Sequence, residues 1–161
     1  MIRVQAEDFD VGDEIDRLTA GRTHIGGVAT FLGLVRDMAK DKPVASMTLE
    51  HFPGMTEKEL AKIEAEAQRR WPLDASLIVH RYGRLEPGDR IVFVATASAH
   101  RAAAFESCMF LVDYLKTQAP FWKKESSGGE SKWVDARISD DEAAARWGGL
   151  ATPKNAHIVA D

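Results

Sequence analysis

The chain has one cysteine, Cys108, among 161 residues. An internal disulfide is therefore impossible, and so is a cysteine-rich tetrahedral zinc site. Long apolar runs are missing as well. The longest apolar-leaning stretch, Ala102 to Val112, is interrupted by Glu106 and falls far short of the roughly 20 residues that a bilayer requires. The first residues, Met1 to Asp8, lack the basic block and apolar block of a secretory leader. These absences imply a protein of the reducing cytoplasm, with no membrane partner. The five histidines, at 24, 51, 80, 100 and 157, show no His-Glu-x-x-His or related ligand spacing, so no bound metal or other cofactor is expected. A Walker loop and a G-x-G-x-x-G string are absent too. Positive charge is in deficit: 21 Lys and Arg against 25 Asp and Glu give −4. That argues against a nucleic-acid partner and leaves room for a local basic pocket that takes a small anion.

What is present is the balance of a soluble globular protein, 45% apolar and 29% charged. A chain of this length buries roughly 68–70% of its unfolded surface, so a core forms without staples. Met1 to Phe9 reads as a strand and Val11 to Ala20 as a helix stopped by Gly21. His24 to Val35 is β-branched and Gly-rich, a strand with close backbone approaches at Gly26, Gly27 and Gly33. The polar stretch Asp37 to Pro43 predicts a mobile loop, and Val44 to Phe52 the next strand. Thr56 is placed to cap a helix, with Glu59 completing a capping box and Met55 stapling against Leu60. Leu60, Ile63, Ala67 and Trp71 then recur at helical spacing until Pro72. Ser76 to Tyr82 and Arg90 to Ala97 read as strands joined by the turn Glu86-Pro87-Gly88-Asp89. Ser98 opens a long helix that runs to about Gln118, before Pro120. Phe121 to Ser126 and Ser131 to Ala136 flank Ser127-Gly128-Gly129-Glu130, a hairpin signal. Ser139 with Glu142 starts a last helix to Trp147. The sum is an α+β (mixed α/β) fold with a small β appendage near 37–50 or 121–136. Residues 1–147 read as one domain and 148–161 as an irregular tail.

Four segments carry candidate chemistry. Ser98-Ala99-His100-Arg101 lies at a strand-to-helix junction, where free N–H groups and the helix dipole favour an anion. A capped helix with two surface cations is an equally good account. Lys116 sits at a helix C-terminus, which suits any cation. Its neighbourhood adds a rigid apolar knuckle, Pro120-Phe121-Trp122, directly before Lys123 and Lys124, and apolar walls beside other cations ease the loss of an ammonium proton. By itself, the ordinary surface reading still wins. Arg36, past the strand Phe31 to Val35, reads as a strand-end charge or a bidentate anion clamp. Glu50 and His51 alternate across a strand and face opposite sides, so they are no catalytic pair. Cys108 is mid-helix among apolar residues and reads as an inert core thiol.

Several strings in register resemble one family. They are Gly27-Val28-Ala29-Thr30-Phe31-Leu32-Gly33-Leu34-Val35-Arg36, then Leu49-Glu50-His51-Phe52-Pro53-Gly54-Met55, then His80-Arg81-Tyr82-Gly83 with Pro87-Gly88-Asp89. The most specific run is Ser98-Ala99-His100-Arg101, Phe105-Glu106, Asp113-Tyr114-Leu115-Lys116-Thr117 and Ala119-Pro120-Phe121-Trp122-Lys123-Lys124-Glu125. Over about residues 24–147 the chain resembles the large, catalytic subunits of molybdopterin synthase. The resemblance implies an α/β hammerhead with an additional small antiparallel β subdomain. It implies a sulfurtransferase that converts cyclic pyranopterin monophosphate to the molybdopterin dithiolene in molybdenum cofactor biosynthesis. The sulfur donor would be a thiocarboxylate at the Gly-Gly end of a small ubiquitin-like partner. A homodimer would form the centre of a heterotetramer.

The same resemblance assigns roles. Lys116 is the general acid/base or the polarising ammonium, and Lys123 holds the partner tail and the developing charge. Arg36, His100 and Arg101 take the phosphate and pterin, with part of the pocket supplied across the dimer. Phe31, Pro120, Phe121 and Trp122 wall the tail channel, and Glu125 orients Lys123. One departure is Val112, where the family often has methionine. The alternative is a non-catalytic module that grips a ubiquitin-like tail or a phosphorylated small molecule.

Overall fold

Branched and small apolar residues at period two build two sheets. In the computed structural model, which describes residues 1–39, 42–127, 130–134 and 138–149, the first sheet contains β1 (Ile2–Gln5), β2 (Gly27–Leu34), β6 (Ala75–Arg81) and β8 (Arg90–Ser98). Their order is β1-β6-β8-β2, with β1 parallel to β6 and the remaining pairs antiparallel. Strand β8 reads Ile91-Val92-Phe93-Val94-Ala95 because helices cover both faces of this sheet. Phe93, Ala95 and Ala97 pack with Phe9, Leu77 and Val79 beneath α1 (Val11–Thr19). Val94 packs with Ala29 and Ile78 on the other side, beneath α2 (Met55–Arg70) and α3 (Arg101–Gln118). The last helix, α4 (Ile138–Ala145), lies against α3.

The second sheet is antiparallel throughout. It joins β10 (Glu130–Val134), β9 (Phe121–Ser127), β5 (Ser46–His51) and β7 (Gly83–Leu85) in that order. Thus the two segments read as possible appendages pair with each other: Leu49 lies opposite Lys123 and His51 opposite Phe121. Val35, Met47, Leu49 and Leu85 form the small core between the sheets. A ring stack reinforces that joint. The imidazole of His80, at the end of β6, lies flat on Phe121 at 3.7 Å and 15°. His51 adds its ring 4.5 Å from Tyr82.

Several expectations shift. The chain leaves the first sheet after Arg81 and passes through β7 in the second before β8, so β6 and β8 are not joined by one tight turn. The stretch read as a mobile loop holds a short ladder, β3 (Met38–Ala39) with β4 (Lys42–Pro43). The cap of α2 is Gly54, whose N–H donates to Glu57, two residues earlier in register than expected. Thr56 is already helical and exchanges hydrogen bonds with the backbone of Phe52, so a competing local partner takes its hydroxyl. Helix α3 has His100 as its N-cap; the Ser98 hydroxyl instead donates to the Pro72 carbonyl. It ends at Ala119, which the following proline holds extended. The tail beyond Gly149 and the glycine pair of the hairpin loop lie outside the described residues.

Two outcomes follow from this packing. Asp113, nearly buried on α3, accepts from Arg146 Nη2 at 2.7 Å and Trp147 Nε1 at 2.8 Å and so clamps the end of α4. Urea unfolding of Asp113→Ala should show a loss of about 2–3 kcal/mol, because an indole N–H is stranded, whereas Arg146→Ala should cost under about 1 kcal/mol. The stack strips water from His80 and pushes its pKa down to about 4, with the nearby His51 adding to the effect. The unfolded chain then binds the proton more readily below about pH 6.5, so this contribution is whole above that value and lost as pH falls toward 4. Between pH 7.5 and 5 the wild type should lose roughly 2 kcal/mol more than His80→Phe, measured by urea unfolding at both values.

Candidate functional site

The corner between β8 and α3 has the chemistry of an anion cradle. Gly26 donates its N–H to the Ser98 carbonyl at 3.0 Å. A side chain at Gly26 would place its Cβ 2.1 Å from the Ala99 carbonyl oxygen, so only glycine lets β2 come this close. The resulting open hollow, about 440 Å³, is lined by Gly26, Ala99, His100, Arg101 and Ala102. The first turn of α3 has no acidic residue and no side-chain cap, which leaves the helix N–H groups for a ligand. His100 and Arg101 are exposed at its rim. An imidazole, a guanidinium and a helix N-terminus thus converge on one small volume.

The other end of α3 carries the lysines. Lys116 lies in the last turn, exposed, and the chain then turns through Pro120 into β9. Lys123 Nζ pairs with Glu125 Oε1 at 2.6 Å. Lys123, Glu125 and Phe121 share one face of β9, since side chains alternate. Trp122 is on the opposite face, 47% exposed, with its ring 6.3 Å from that of Phe52. The Pro120-Phe121-Trp122 knuckle therefore splits. Phe121 is engaged by His80, and Trp122 looks outward. Phe31 is half-buried against the core beneath α3.

Topology sorts the cations. Strand β2 is antiparallel to β8, and α3 doubles back along β8, so β2 and α3 run the same way. Arg36, exposed two residues past β2, shares the end of the sheet with Lys116. His100 and Arg101 occupy the opposite end. Arg101 and Lys116 are fifteen residues apart in one uninterrupted helix, or about 22 Å. A small molecule lodged in the hollow of one protomer does not touch the Lys116 of that protomer.

Cys108 is 6% exposed, and burial pushes its thiol up to about 11, so no thiolate is available at neutral pH. Among the described residues no three His, Cys, Asp or Glu side chains gather to hold a metal ion, and no helix is long and apolar enough to cross a membrane. The His80, His51 and Tyr82 rings were not singled out for a role by residue type. His80 and His51 do stand in the quoted strings, but Phe121, their common neighbour, is far away along the chain. His51 Nδ1 is buried without a hydrogen-bond partner.

Comparison with known proteins fits this geometry. Residues 4–118 match the model of the MoaE protein family. The molybdopterin synthase catalytic subunit of Pseudomonas aeruginosa is 57% identical over 146 residues, which cover 91% of this chain and 97% of that one. The molybdopterin biosynthesis MoaE protein of Burkholderia ambifaria MC40-6 superposes with a TM-score of 0.80 at 56% identity, covering 92% of this chain and 98% of that chain. The crystal structure of molybdopterin synthase from Staphylococcus aureus gives a TM-score of 0.77 at 30% identity, covering 83% of this chain and 96% of that chain. By the family match over residues 4–118 and by identities above 50% across about nine-tenths of its length, the chain belongs to the MoaE family, the catalytic subunits of molybdopterin synthase.

Proposed function

We propose that this chain transfers sulfur from the thiocarboxylated Gly-Gly tail of a small ubiquitin-like partner to cyclic pyranopterin monophosphate, forming the molybdopterin dithiolene in the cytoplasm. Two clusters of positive charge at opposite ends of α3 carry this reading, the first of them lining an open hollow. One has the chemistry to hold a phosphate: N–H groups at a helix start, His100 and Arg101. The other has the chemistry to stabilise an anionic acyl or thiolate centre: the ammonium groups of Lys116 and Lys123, with Arg36 at the same end of the sheet.

With about 22 Å of helix between them, we read the two clusters as parts of different sites. In a two-fold dimer, the His100 and Arg101 of one protomer hold the phosphate while the partner protomer's lysines face the reacting atoms. Lys116 works as the proton donor and acceptor or as the polarising ammonium. Lys123, oriented by Glu125, holds the tail and the charge that develops on it. An extended glycine terminus can approach the lysines closely, since it has no side chain to exclude. Cys108 takes no part, because the sulfur arrives on the partner.

Dithiolene formation from the cyclic pterin and a thiocarboxylated partner is the direct assay. Lys116→Ala should lower its rate at least about 100-fold, with partner binding by calorimetry retained. Turnover at the wild-type rate would refute the role of Lys116. Product formed by neither protein would favour a non-catalytic module. Cys108→Ser should keep full activity in the same assay, and loss of it with the fold intact would show that the thiol participates.

A further inference from the structure

The lysine pair is divided between two structural bodies. Lys116 belongs to α3 and hence to the first sheet, while Lys123 is carried by β9 of the second sheet. Their relation depends on what fixes one sheet against the other. Phe121 sits at that point. It opens β9 directly after Ala119-Pro120, its N–H donates to the Ala119 carbonyl at 2.8 Å, and it lies on the same face of the strand as Lys123.

The ring of Phe121 is held from the first sheet by His80. At 3.7 Å and 15° theirs is the only flat-stacked ring pair among the described residues; His51 approaches Phe121 at 6.1 Å and 34°. A flat stack restricts tilt as well as distance. An aliphatic contact restricts only distance. His80 is also unsuited to proton transfer here. Its Nδ1–H donates to its neighbour, the Arg81 carbonyl, at 2.9 Å, and one ring face is covered.

We propose that His80 is a positioning residue for sulfur transfer: through its stack on Phe121 it sets the heading of β9 and so places Lys123 relative to Lys116. This rests on the role of Lys123 given above. A neutral imidazole suits the task, because the group stays uncharged through the working pH range.

The test uses the full chain with its thiocarboxylated partner and the cyclic pterin. His80→Leu keeps the volume and loses the flat face. Its maximal rate of dithiolene formation should fall about tenfold or more, with KM for the pterin within about twofold, since in each protomer His100 and Arg101 lie at the opposite end of the first sheet from His80. His80→Phe keeps a flat ring and should return to within about threefold of the wild type. A wild-type rate in His80→Leu overturns the proposal, and so does His80→Phe being as slow as His80→Leu. Lys123→Ala separates the two layers. If it is slow while His80→Leu is fast, positioning fails and the lysine assignment stands; if it is fast, both fail. Should His80→Leu not fold, NMR of the wild type decides. A ring-current-shifted His80 signal that does not titrate between pH 8 and 5 supports the stack, and an unshifted signal titrating near about 6.5 overturns it.

Discussion

Helix α3 is the fixed ruler of this molecule. One face is welded to the first sheet by Ala104, Cys108, Leu111 and Leu115, and Phe110 and Tyr114 complete the core around it. Nothing in that packing can shorten it, because each residue adds about 1.5 Å. The anion cradle is therefore held at one end and Lys116 at the other. The candidate site residues are placed by reference to this helix: His100 and Arg101 at its start, Arg36 by the parallel strand β2, and Lys123 by the strand that follows Pro120. A separation that one substrate cannot bridge within a protomer becomes useful once two copies face each other.

The second constraint is the joint between the sheets. The main sheet is sealed by helices on both faces and behaves as one block. The second sheet touches it through a small core of Val35, Met47, Leu49 and Leu85 and through the rings of His80 and Phe121. Small cores resist rotation less than large ones. A flat ring contact next to Lys123 is where such rotation is best opposed. The cost is a histidine held uncharged, which burdens the fold in acid.

Much of this was readable from the residues. Pro72 and Pro120 marked the ends of the two long helices, and Ser98 to Arg101 marked the corner where the cradle forms. The opposed facing of Glu50 and His51 and the inert setting of Cys108 also came through, because period-two and period-3.6 patterns are local signals. Pairings between distant segments were not legible. Gly83-Arg84-Leu85 is too short to announce a strand, yet it joins β5. Thr56 has every attribute of a cap, yet Gly54 takes that role and the Thr56 hydroxyl bonds the Phe52 backbone instead. The stack of His80 on Phe121 depends on two sheets meeting, which no single segment encodes. For the site, residue type and family strings singled out the cations as a set, and the topology divides them between the two ends of α3.

Subunit mixing tests this division most directly. One chain carries Lys116→Ala, the other His100→Ala with Arg101→Ala, and each alone should be inactive. In a mixed dimer one site collects both defects and the other is intact. After random exchange of equal amounts, dithiolene formation should recover to about a quarter of the wild-type rate. A mixture that forms mixed dimers, shown by native mass spectrometry, and stays as inactive as its components would contradict the account.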